Sequence, residues 1–147
     1  EIDCKNQLTI RTSIIGPELN PDGIGLLKWT LSQKNSLEGF TKAYWSGVTT
    51  LELAKFIEFY IISNLKDFRL VHLTNNEKIS KFNLIEIINE VFDLNLIIKP
   101  NSNYVVDKSF LNTNVNMNYT VPPYRRMIEE LYDWINTSQL YHSDQSI

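Results

Sequence analysis

Tyr104-Val105-Val106-Asp107-Lys108 sets a phenol and an ammonium four residues apart. On one helical face that spacing suits proton transfer, because the lysine lowers the phenol's pKa. The surroundings argue against a helix: Pro100 and an Asn-Ser-Asn run precede the segment, two valines adjoin, and no helical apolar stripe runs through it. It reads as strand or loop, and the match as a coincidence of spacing. His72 lies in an apolar run and reads as a hydrogen-bonded packing residue, while His142 falls in a polar tail. No Ser/His/Asp set gains support. Glu18, Asp22, Glu38, Glu86 and Glu90 include no pair spaced for carboxylate chemistry; Glu86 and Glu90, on a helix flank, read as a solvated face. Cys4 is the single cysteine, so neither an intrachain disulfide nor a metal-clamping pair is available. Gly16, Gly23, Gly25, Gly39 and Gly47 build no strand–GxGxxG–helix unit for a dinucleotide. The expectation is a chain with no catalytic residue and no metal. Trp29, Tyr44 and Trp45 cluster around irregular segments, where aromatic side chains line small-molecule pockets or simply pack.

The elements that would position these groups follow from periodicity and punctuation. Leu8 to Gly16 reads as one strand covered on both faces, ending at Pro17. A loop, PELNPDGIG, leads to a short helix over Gly25 to Gln33. Leu37 to Phe40 and Tyr44 to Val48 suggest two short strands. Thr49-Thr50-Leu51-Glu52 has capping-box spacing and opens a helix whose apolar positions are Leu53, Ala54, Phe56, Ile57, Tyr60 and Ile61. Arg69 to Thr74 is a strand, Asn75-Asn76 a turn, and Ser80 the cap of a helix buried along Leu84, Ile87, Ile88, Val91 and Phe92. Leu94 to Lys99 is a strand closed by Pro100, and residues 101–118 are Asn-rich with little periodicity. Pro122-Pro123 sets up a last helix with Met127, Ile128, Leu131, Trp134 and Ile135 on one face. Residues 137–147 read as a frayed polar tail.

At 147 residues and 43% hydrophobic content the chain can bury one core. Its net charge of −3, with Lys and Arg scattered, provides no phosphate-backbone footprint, so nucleic acid is not an expected partner. Residues 1–7 carry no apolar signal core, and no run is long enough to span a bilayer. With one cysteine, a soluble protein of the reducing cytoplasm is expected. The alternation of strands and helices is an α/β pattern. Its first strand looks central yet has few long strands to neighbour it, so the chain reads as part of something larger.

Two segments, Ile10-Arg11-Thr12-Ser13-Ile14-Ile15-Gly16-Pro17 and Ser46-Gly47-Val48-Thr49-Thr50-Leu51-Glu52-Leu53-Ala54-Lys55, carry a family resemblance. They resemble the (L/I)RTSxxxG strand and the G-x-(P/T)-T-x-x-x-x-A helix opening of extended short-chain dehydrogenases acting on nucleotide sugars. Leu70 to Asn75, Ser80 to Ile88, and Asp107-Lys108-Ser109 through Pro122, Pro123-Tyr124 and Trp134 are similar to later motifs in the same order. The likeness covers nearly the whole chain and is strongest to the dTDP-4-dehydrorhamnose reductase group, with epimerases and dehydratases second.

The resemblance implies an α/β fold: the C-terminal part of a Rossmann-like short-chain dehydrogenase, comprising the last parallel strands plus a small mixed substrate-binding lobe. Residues 1–136 would form that portion, with the dinucleotide-binding N-terminal half and its catalytic Tyr-x-x-x-Lys absent. It implies NAD(P) in the full-length enzyme, with Thr12, Ser13, Ile14 and Ile15 beside the nicotinamide end. Arg11, Glu18, Leu26, Trp29, Trp45 and Ser46 would line the sugar-nucleotide pocket. The implied activity is reduction of a 4-keto-sugar nucleotide for surface polysaccharide, the alternatives being an epimerase or dehydratase, or a stand-alone binding module without activity. The implied partners are the nucleotide sugar and the missing half, and a homodimer is compatible with both.

Overall fold

The computed structural model describes residues 8–18, 20, 22–63, 70–112 and 118–138. Cys4, Arg69, His142 and the tail from residue 139 lie outside the described residues.

The strand expected over Leu8–Gly16 is two short strands, β1 (Thr9–Arg11) and β2 (Ile14–Ile15). The interruption has a physical cause, because the segment changes neighbours at Thr12-Ser13. β1 pairs in parallel with β5 (Leu70–His72), and β2 pairs in parallel with β4 (Val48–Thr49). At the changeover the Thr12 hydroxyl donates to the Leu73 carbonyl at 2.9 Å, and the Ser13 carbonyl accepts from the Val48 amide at 2.9 Å.

The two strands expected at residues 37–48 are one ten-residue strand, β3 (Ser36–Trp45), followed by β4. β3 is central to a three-stranded sheet, with β6 (Ile79–Ser80) antiparallel on one side and β7 (Ile97–Asp107) parallel on the other. Pro100 therefore does not end a strand; it lies inside β7, opposite Gly39. Among the described residues β7 has one neighbour, and an edge strand tolerates a residue without an N–H. Most of its residues are exposed, so no buried face imposes an alternating pattern. That is why the Asn-rich stretch looked featureless. Its register slips between Phe40 and Lys42, where Asn101 Oδ1 accepts from the Asn103 amide.

Among the described residues four helices cover the strands: α1 (Leu26–Leu31), α2 (Thr50–Ile62), α3 (Lys81–Val91) and α4 (Tyr124–Thr137). Both expected side-chain caps form. Thr49 Oγ1 accepts from the Glu52 amide at 3.1 Å, and Ser80 Oγ accepts from the Asn83 amide at 3.1 Å. The Glu52 carboxylate does not reciprocate in a capping box. It is 2% exposed and accepts from the Tyr119 hydroxyl at 2.7 Å.

The core gathers Leu27, Trp45, Val48, Phe56, Val71 and Leu73 with Leu84 and Ile88 of α3 and Met127, Ile128, Leu131 and Ile135 of α4. Ile85, outside the expected α3 stripe, is buried against Leu37 and Leu96 in a second cluster. Trp134, expected inside, is 40% exposed, and Ile61 of α2 is 70% exposed. Phe56 alone of α2's expected apolar positions is fully buried. No helix among the described residues is long and apolar enough to cross a membrane.

Gly47 makes the tightest backbone approach. A Cβ there would lie 2.0 Å from the Ser13 carbonyl oxygen and 2.1 Å from the Trp45 ring. The obstruction is main chain that is already hydrogen-bonded, so it cannot move cheaply. Gly47→Ala is expected to cost about 1–3 kcal/mol or more, measured as a lower denaturant midpoint; an unchanged midpoint would mean the corner has slack.

Burial raises the Glu52 carboxyl pKa above its ordinary value of 4.5, with the Tyr119 hydrogen bond and Lys55 pulling the other way. A carboxyl whose folded pKa is raised contributes stability that is present below its unfolded pKa and lost as pH rises through the folded one. Glu52→Gln keeps an acceptor for Tyr119 and removes the buried charge. We expect the variant to match or exceed the parent's stability at neutral pH and to flatten the stability curve just above the ordinary carboxylate range. Denaturant unfolding across that range is the check, and marked destabilisation at neutral pH would show that the charge itself is needed.

Candidate functional site

An open groove of about 550 Å³ lies between the three-stranded sheet and helices α1 and α3, within the size range that holds small organic ligands. Leu26 and Trp29 come from α1, Tyr44 and Trp45 from the end of β3, and Lys81 from the first position of α3. Phe40 contributes from the middle of β3, while Tyr104 and Lys108 come from β7 and the residue after it. Gly39 makes the close packing possible. A Cβ at that position would lie 2.9 Å from Phe82 Cα, so only glycine lets α3 rest directly on β3 and carry Lys81 into the groove.

The walls are aromatic and the charge is positive. The Phe40 and Tyr104 rings lie 5.2 Å apart, and Lys81 Nζ is 6.0 Å from the Trp45 ring centre. Burial, and after it the charge of Lys108, lowers the Lys81 pKa. Lys78 stands 4.6 Å over the Tyr44 ring but is neutralised by Asp107 at 3.0 Å. The Ser109 hydroxyl, its amide and Lys78 hold the Asp107 carboxyl down at about 2. Among the described residues neither Lys81 nor Lys108 is in an ion pair.

Tyr104 and Lys108 sit on extended backbone, and four residues of strand separate them by about 13 Å. Both face the groove, yet the lysine is too far along the strand to act on the phenol as it would one helical turn away. Of the residues expected at the substrate, Leu26, Trp29 and Trp45 meet in the groove, with Tyr44 beside them. Ser46 is fully buried, its hydroxyl donating to the Phe110 carbonyl at 3.1 Å and accepting from the Phe110 amide at 2.8 Å. Glu18 folds its loop onto the start of α1, Oε1 accepting from the Gly25 amide at 2.9 Å; its Oε2 is buried without a hydrogen-bond partner among the described residues. Arg11 lies on β1 in register with His72, away from the groove lining.

Thr12, Ser13, Ile14 and Ile15 form a separate region at the C-terminal end of β1. Ile15 is buried in the core, whereas Ile14 is 55% exposed. His72 behaves as a packing residue, with Nδ1 3.1 Å from the Leu111 carbonyl and its ring edge-on to Phe110. Glu38, Phe40, Lys81, Tyr104, Val106 and Lys108 line the groove without having been singled out for it. The signal for Lys81 was present, since it directly follows the cap Ser80, but nothing local says which wall a first-turn residue meets. The described residues include no group of three or more His, Cys, Asp or Glu able to hold a metal. Chemically the groove offers aromatic faces and two ammonium groups, and its described lining residues include no nucleophile–base pair.

No family model matches the sequence, and no curated protein is similar to it. Solved structures share the fold. A dTDP-4-dehydrorhamnose reductase from Bacillus anthracis in complex with NADP aligns over 88% of this chain at TM-score 0.68 and 16% identity. A GDP-L-fucose synthetase from Naegleria fowleri bound to NADP aligns over 88% at 0.62 and 15%, and a UDP-N-acetylglucosamine 4-epimerase from Bacillus cereus over 88% at 0.59 and 15%. This chain spans 48%, 45% and 46% of those three chains, about half their length. The α/β architecture with parallel strands is thus that of Rossmann-like nucleotide-sugar enzymes, in part.

Ser46 offers a direct test of clamp against ligand contact. Ser46→Ala strips both polar partners from the Phe110 backbone and is expected to cost about 1–3 kcal/mol in denaturant unfolding. If stability is unchanged while ligand affinity falls, the hydroxyl belongs to the binding site instead.

Proposed function

We propose that this chain is the substrate-binding lobe of an NAD(P)-dependent nucleotide-sugar reductase that reduces a 4-keto-sugar nucleotide in the cytoplasm for surface-polysaccharide synthesis. The observation that carries this reading is the aromatic groove with two ammoniums that have no ion-pair partner among the described residues, set on a fold shared with nucleotide-sugar enzymes. Aromatic faces suit a base, cations suit a diphosphate, and the groove is large enough for both.

The reading includes a complementary dinucleotide-binding half. β1 and β5 make a parallel sheet of two strands, and parallel sheets occur with more strands and both faces covered. Exposed Ile14, Ile57 and Ile61 are apolar surface that such a half, or a second copy in a homodimer, would cover. The residues at the end of β1 suit a nicotinamide ring. Ligands of parallel sheets sit beyond the C-terminal ends of strands, Ile14 presents apolar surface there, and the Ser13 hydroxyl has no hydrogen bond among the described residues. The cofactor, when bound, supplies hydride to the sugar carbonyl. This chain's own part is to bind the sugar nucleotide, orient it and exclude water, while the proton donor comes from the other half. An epimerase of the same fold is the second reading, supported by the likeness to the 4-epimerase structure.

Titrating the chain with nucleoside-diphosphate sugars should change the fluorescence of Trp29 and Trp45 saturably, and Trp29→Phe should remove part of that change. Mixed with NADPH and a keto-sugar nucleotide, the chain alone should give no turnover. Reductase activity from the isolated chain, or no binding of any sugar nucleotide, would sink the assignment.

A further inference from the structure

The two ends of the groove differ in chemistry. At one end the Lys108 amide donates to the Tyr44 carbonyl at 3.1 Å, which sets Lys108 beside the Tyr44–Trp45 end of β3, where Lys81 also lies. Burial first, and second the charge of Lys108, lower the Lys81 pKa; the second cause is a mutual repulsion of two cations. A doubly charged group such as a diphosphate would relieve that repulsion.

The opposite end is aromatic and carries a carboxylate. Phe40 and Tyr104 present tilted rings on which any base can stack, and Trp29 of α1, partly exposed, lines the same groove. Glu38, the carboxylate among the lining residues, belongs to this end. Asn101, opposite Phe40 in register, donates to Glu38 Oε2 at 2.6 Å, which steers the carboxylate; Oε1 has no partner among the described residues.

An ionised carboxylate accepts hydrogen bonds and donates none. It therefore sorts bases by their N–H groups. Guanine offers adjacent donors, its ring N1–H and its 2-amino group. Uracil and thymine offer one N–H flanked by two carbonyl oxygens, which a carboxylate repels. Adenine and cytosine offer an amino group without an adjoining ring N–H.

Resting on the reading of the groove as a nucleotide-sugar site, we propose that Glu38 determines base specificity. The groove takes guanosine-diphosphate-linked ligands, with the diphosphate on Lys81 and Lys108 and the guanine edge on Glu38 among Trp29, Phe40 and Tyr104.

The test is calorimetric titration of the full chain with GDP, IDP, UDP and dTDP. GDP should bind about tenfold or more tightly than UDP or dTDP, and IDP, which lacks the 2-amino group, should fall between. Glu38→Gln should bring the GDP-to-dTDP ratio close to one, with circular dichroism confirming that the variant is folded. The IDP comparison needs no variant and remains decisive if Glu38→Gln misfolds. Lys81→Ala and Lys108→Ala should weaken all four ligands alike and flatten the salt dependence. UDP or dTDP binding as tightly as GDP, or a ratio untouched by Glu38→Gln, overturns the role of Glu38 while the lysine effects keep the nucleotide site. No binding of any nucleotide removes the underlying reading as well.

Discussion

The corner from Trp45 to Thr49 is the constraint on which the other parts of the structure depend. Within five residues the chain ends the mixed sheet, passes under Ser13, joins the parallel pair and caps α2. Gly47 allows the passage because any side chain would strike the Ser13 carbonyl. The Val48 amide then bonds that same carbonyl, and Thr49 turns the next residues into a helix. Trp45 is shared between the core and the groove, so the packing that fixes the corner also fixes one wall of the site.

Irregular segments are held by buried polar groups rather than by apolar contact alone. Ser46 holds Phe110 through both backbone groups, Thr12 ties β1's end to Leu73, and Tyr119 is drawn to Glu52 while its ring packs 5.2 Å from Phe56. Each bond satisfies a group that would otherwise be costly to bury. Glu52 is the extreme case, since a carboxylate in that position is tolerated only with a donor and nearby Lys55. Lys55 and Arg126 both pair with Glu130, which links α2 to α4 near the same point. Ion pairs as exposed as these add little stability.

On the proposed reading the groove separates binding from chemistry. Its cations and aromatic rings can recognise a ligand, and the residues that could have formed a proton-transfer pair are spread along a strand. A lobe with the proposed role requires only rigidity, which Gly39 and the Ser80 cap supply by seating α3 on β3.

Local chemistry determined much of the fold. Hydroxyls at Thr49 and Ser80 started helices, Asn76 adopted the left-handed backbone of a turn at φ 64°, and α4's stripe at Met127, Ile128, Leu131 and Ile135 went inside. Trp29 and Trp45 stood out as pocket or packing candidates because they flank irregular segments, and both line the groove. Pairing was not legible. Pro100 is a strand breaker except at an edge, and only the sheet order made residue 100 an edge position. One apparent strand over Leu8–Gly16 became two because its neighbours differ on either side of Thr12. Lys81 and Lys108 are 27 residues apart and share no pattern; parallel pairing of β3 with β7 and the seating of α3 brought them to one groove. Periodicity and capping are short-range, so sequence alone determined them. Which strands neighbour each other, and so which distant side chains share a site, is decided by long-range packing.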